Sequence, residues 1–176
     1  MEDLLQHSYG ESSSYMSTDT HIALLADRIG QAQYDAIVAL LDRSASTGDA
    51  ERLLRGSEFF RGLVERHIRW LEQDADLTAT NLAGEFDTFE ARLSAEGSAL
   101  ESEVTLTSAL RVLRQRAMLH IVWRSFTSET GLDETLSTMS ALADCVIRVA
   151  VRFAEATLAK RFGYPIGEES GKQQTL

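Results

Sequence analysis

The chain has 176 residues, a formal net charge of −10, 44% apolar and 25% charged residues, and a single Pro. That size and balance describe one globular domain with a real core, and the acidity argues against non-specific binding to nucleic acid or to an anionic membrane. The lone cysteine, Cys145, excludes an internal disulfide, no apolar run nears the ~18 residues of a membrane span, and the first residues lack the pattern of a secretory signal, so a cytoplasmic protein is expected.

Residues 1–18 are Ser-rich and without periodicity, which predicts a mobile tail. A helical domain over 19–162 follows. Its first helix starts near Thr20, with Thr18 or Asp19 as cap and Ile22, Leu25, Ile29, Ala32, Ala36 and Leu40 on one stripe. Gly30 weakens its middle by ~1 kcal/mol against Ala. Ser44–Asp49 reads as a loop. The second helix begins at Ser57 as N-cap and buries Phe60, Leu63, Val64, His67 and Leu71, with Trp70 at its edge, before Gln73–Asp76 ends it. A third carries Leu82, Phe86, Phe89 and Leu93 and breaks at Gly97.

A central helix is predicted from about Leu100 to Phe126. Leu106, Leu110, Leu113, Ala117 and Ile121 form one apolar face, and Val112, Leu119, Trp123 and Phe126 form a roughly opposite one. A helix apolar on two sides is packed on two sides. No acid occurs from Val104 through Ser128, and Arg116, His120 and Arg124 share one stripe at i, i+4, i+8. After Thr127–Gly131, the last helix is expected to bury Leu136, Met139, Ala143, Val146, Ile147, Ala150, Phe153, Ala154 and Leu158. Lys160 and Arg161 suit its negative end, and Gly163 with Pro165 stops it. Residues 163–176 read as a linker. The fold expected is therefore all-α, about five helices in one bundle around a central helix.

Arg111, Arg114, Arg116 and Arg124 are the candidate functional residues, because Arg forks onto phosphate and carboxylate; pairing with acids of neighbouring helices is the plainer alternative. The histidines His7, His21, His67 and His120 lack metal-site spacing. Asp74 and Asp76 form a tight D-x-D, but no Gly-rich phosphate loop precedes it, so no metal is expected there. Cys145 reads as a buried, inert thiol.

LRVLRQRAMLHIVWR resembles the segment L-R-x-F-R-R-R-x-M-x-R-I-A-W of glutamine synthetase adenylyltransferases, through Leu110, Arg111, Arg114, Arg116, Met118, Ile121 and Trp123. Leu113, Gln115 and His120 depart from it. DETLSTMSALADCVIRVA, RFGYPIG and SEFFRGLVERHIRWL resemble further segments of that family in the right order, so the likeness covers about Leu53 to Leu176. It implies the amino-terminal helical region of an enzyme that transfers AMP from ATP to a Tyr of glutamine synthetase and removes it by phosphorolysis. Mg²⁺, ATP or ADP, and regulation of nitrogen assimilation by PII-type signal proteins come with that family. Its G-M-G-K-L-G-G loop and S-S-D-I-D-L motif do not occur here. The chain is thus expected to bind no cofactor, to be inactive alone, and to serve a downstream nucleotidyltransferase domain. A free-standing helical interaction domain is the alternative.

Overall fold

The computed structural model describes residues 18–43, 48–73, 77, 82–95, 102–127, 130–168 and 170–174. These contain eight helices, α1 (Thr18–Ile29), α2 (Gln31–Asp42), α3 (Asp49–Gly56), α4 (Glu58–Arg66), α5 (Ile68–Gln73), α6 (Leu82–Ala95), α7 (Glu103–Phe126) and α8 (Leu132–Phe162). The all-α expectation holds. Among the described residues the one extended pairing is an isolated antiparallel bridge, Ile166 with Gln173, in the turn behind α8. The expected tail over residues 1–18 lies outside the described residues except Thr18, as do Gly97 and the Asp74–Asp76 pair.

The helix count corrects the expectation of about five. Gly30 does more than weaken the first helix. Its φ of 86° is left-handed, open to Gly without strain, and it separates α1 from α2. His67, at φ −115° and ψ 19°, breaks the second helix into α4 and α5. The eight-residue α3 stands where no helix was expected. Ser57 caps α4 as expected, its Oγ accepting from the Phe60 N–H at 3.1 Å. Gly163 ends α8 with φ 80°.

α7 is the spine. Its Leu119 and Trp123 face join α1–α5 in one core with Leu25, Ile37, Leu54, Phe60 and Val64. Its Leu106, Ala117 and Ile121 face join α6 and α8 in a second core with Phe86, Leu142 and Cys145. The two-sided pattern of α7 therefore divides the bundle into two layers.

α8 departs from its expected packing. Leu136, Met139, Ala143, Ile147, Ala150, Ala154 and Leu158 are exposed, and Val146 and Phe153 are half-buried. Leu142, Cys145 and Val149 are buried instead. At 100° per residue the exposed and the buried sets lie about 140° apart. The small Cys145 lets the α6 backbone come close, its Sγ 3.5 Å from the Phe86 carbonyl oxygen. Arg148 and Arg152 then clamp Glu90 of α6 at 2.9 and 2.8 Å. These contacts fix which face turns inward.

Candidate functional site

The four candidate arginines of α7 divide into two pairs. Arg116 and Arg124 lie on the edge between the two cores. The Arg116 guanidinium sits 4.8 Å from the centre of the Trp70 ring, a cation–π geometry. Its Nε is buried with no hydrogen-bond partner among the described residues. Arg124, only 8% exposed, pairs with Glu134 at 3.3 Å. Glu134 occupies the first turn of α8, where the helix dipole favours an acid. His120 lies between the two, 3% exposed, with its ring 5.9 Å from that of Trp70.

Arg111 and Arg114 are exposed on the other side of α7. Among the described residues neither takes part in an ion pair or a ring contact. The structure thus leaves two guanidinium groups open to a partner and ties two into the fold.

Gln115 meets the Nε2 of His67 at 2.9 Å, joining the α4–α5 break to α7. Sequence reasoning placed His67 on a buried face without its partner. It missed Arg61, 8% exposed, which donates to the carbonyls of Leu54 at 2.6 Å and Arg55 at 3.1 Å. That bond satisfies the open carboxyl end of α3, so the only available signal was a helix too short to be read. Burial raises the Cys145 thiol pKa above its ordinary value, with Glu90 adding to the effect.

Between α6 and α7 runs an open groove of about 1290 Å³, with Trp70, Phe86, Phe89 and Val112 in its walls and Arg92 and Arg116 among its polar groups. Among the described residues no group of three or more His, Cys, Asp or Glu side chains could hold a metal ion, and no helix is long and apolar enough to cross a membrane.

The described residues form a helical bundle of two layers on an arginine-bearing spine. A family model, Glutamate-ammonia ligase adenylyltransferase, matches residues 47–176. The chain is 39% identical over 128 residues to the bifunctional glutamine synthetase adenylyltransferase/adenylyl-removing enzyme of Thioalkalivibrio sulfidiphilus, a match covering 71% of this chain and 13% of the relative. It is 32% identical over 132 residues to the protein of that description from Pseudomonas putida, covering 72% and 13%, and 35% identical over 134 residues to that from Pseudomonas aeruginosa, covering 76% and 12%. The matched region corresponds to about an eighth of the length of these relatives. No solved structure matches. The chain belongs to the glutamate-ammonia ligase adenylyltransferase family.

Proposed function

We propose that the chain is the helical module of a cytoplasmic adenylyltransferase/adenylyl-removing enzyme acting on glutamine synthetase, and that it positions a nucleotidyltransferase unit rather than performing chemistry alone. The observation that carries this reading is the family match across α3–α8, together with the open pair Arg111 and Arg114 on the spine helix. Arg111 and Arg114 bind phosphate of the nucleotide or carboxylates of that unit, for which the forked guanidinium is suited. Arg116 and Arg124 hold the spine in place through Trp70 and Glu134. Mg²⁺ and ATP or ADP bind in the nucleotidyltransferase unit, where the metal neutralises charge on the moving phosphoryl group. Regulation by a PII-type signal protein belongs to the same reading.

The test is a chimera in which this chain replaces the matching segment of the Pseudomonas putida relative. AMP transfer to glutamine synthetase, and its removal, should persist in the chimera and be absent from the chain alone. Arg111→Gln with Arg114→Gln should lower turnover about tenfold or more while leaving the melting temperature of the chain unchanged. A well-folded chimera without activity, or full activity in the double variant, overturns the respective half of the proposal.

A further inference from the structure

Between α6 and α7 the bundle has an unfilled position. Both helices pack on α8 and scarcely on each other. Leu82, Phe86 and Leu93 of α6 and Leu106, Ala117 and Ile121 of α7 share the core with α8. The open groove lies roughly 100° round each helix from those residues. It follows α7 from Val104 to His120, a rise of ~24 Å. α8 thus fills one flank of the α6–α7 pair and the groove is the other, where a further helix completes a four-helix arrangement. Phe86 is buried at its floor, Phe89, Val112 and Leu113 are half-buried in its walls, and Val104 is 79% exposed at its end.

The groove is cationic although the chain has a net charge of −10. No acid occurs on α7 beyond Glu103, and Glu85 is the one acid lining the groove among the described residues. Arg92 and Arg116 also line it, and neither takes part in an ion pair among the described residues. Each guanidinium is held against a ring, Arg92 at 5.7 Å from the centre of Phe89 and Arg116 at 4.8 Å from that of Trp70. Such a contact fixes the group without using its forked N–H donors, and the buried Nε of Arg116 has no acceptor among the described residues.

From this arrangement we propose that the α6–α7 groove receives an amphipathic helix from the remainder of the enzyme, apolar on one face and bearing carboxylates that meet Arg92 and Arg116. This rests on the reading above that the chain is one module of a longer protein. Its matched region is about an eighth of the relatives, and a helix tethered to the module meets the groove at the high effective concentration that linkage provides. The space between two helices suits a helix laid along them. The charge selects its chemistry. A basic or neutral helix in this groove would desolvate two guanidinium groups and give them no counter-charge, whereas carboxylates satisfy both.

The test compares the isolated chain with the chimera in which it replaces the matching segment of the Pseudomonas putida relative, both carrying Cys145→Ala and Ser108→Cys. Ser108 is exposed in the groove, so in the isolated chain the new thiol should react with iodoacetamide as an open thiol does, with peptide mass mapping to read that position alone. In the chimera its rate should fall at least tenfold, while Ala36→Cys, exposed on α2, should react alike in both proteins. Thr105→Cys, also exposed in the groove, is a second reporter. Arg92→Glu should restore most of the lost rate, and Arg92→Lys, which keeps the charge, should not. Unprotected thiols at both groove positions of the folded chimera overturn the proposal. So does protection already present in the isolated chain, since the groove would then be closed without the rest of the enzyme. So does protection indifferent to Arg92→Glu, which would deny the occupant its carboxylates. AMP transfer is measured separately. A protected groove in an inactive chimera upholds the docking while the activity reading fails, and an active chimera with an open groove does the reverse.

Discussion

Among the described residues α7 and α8 are the two longest helices, and each is apolar on two sides, but only α7 has both sides covered by other described residues. α7 stands between α4 with its neighbours and α6 with α8, so Trp123 and Cys145 end up in different cores. α8 lies at the margin of the bundle and has one layer against it. The difference shows that two apolar faces on a helix state how much surface awaits a partner, not whether the same chain supplies that partner. In α7 the sequence pattern and the packing coincide. In α8 the pattern exceeds what the described chain can bury.

The sharpest test of this contrast is truncation on each helix. Trp123 is fully buried and stacks with Phe60 at 6.3 Å between ring centres. Trp123→Ala should cost about 3–5 kcal/mol in denaturant unfolding, and Leu119→Ala about 2–5 kcal/mol. Leu136→Ala, on the outer face of α8, should change the stability of the isolated chain by less than about 0.5 kcal/mol. Comparable losses at all three positions would mean that the outer face is buried in the isolated chain, and the contrast would fail.

A smaller effect is expected at the joint between the two helices. Arg124 is buried and Glu134 is half exposed, its side chain at 50%. Water screens one end of the pair, so Glu134→Gln should cost about 1–2 kcal/mol rather than the larger sum typical of a fully buried pair. Arg111→Gln should cost nearly nothing by the same assay. If Arg111→Gln destabilised as much as Glu134→Gln, the division of the arginines into open and committed pairs would be wrong.

Much of this was legible in the sequence, and what was not has particular causes. Both faces of α7 could be read because Leu106 to Ile121 and Leu119 to Phe126 each keep helical spacing without Gly or Pro. The cap at Ser57 and the stop at Gly163 are local, and both stand. The break at His67 carries no Gly or Pro and is joined to Gln115, 48 residues away. The choice between the faces of α8 rests on Glu90, 58 residues before Arg148. The commitment of Arg116 and Arg124 likewise depends on Trp70 and Glu134, which lie on other helices. Periodicity reports a helix face by itself. Which of two apolar faces is covered, and which of four arginines is open, are properties of neighbours brought together by folding.

The finest probe of the contrast is alkaline pH. Cys145 sits on the covered face of α8 with no exposure. Burial raises its thiol pKa above 9.0, Glu90 pushes it further up, and Arg148 pulls it partly back. The folded state therefore holds this proton more tightly than the unfolded chain does. Its contribution to stability is complete below the unfolded value and is lost as pH rises through the higher folded one. Tyr34 behaves in the same direction above 10.0, again chiefly through burial. Unfolding free energy in a Tyr34→Phe background should then fall as pH rises above the ordinary thiol value, and Cys145→Ala should remove most of that slope. Placing the thiol on the other side of the helix, as Ile147→Cys with Cys145→Ala, should not restore the slope in the isolated chain, because an exposed thiol is solvated alike in both states. An alkaline slope of equal size from position 147 would show that the outer face of α8 is as dry as the inner one, and the two helices would then be alike.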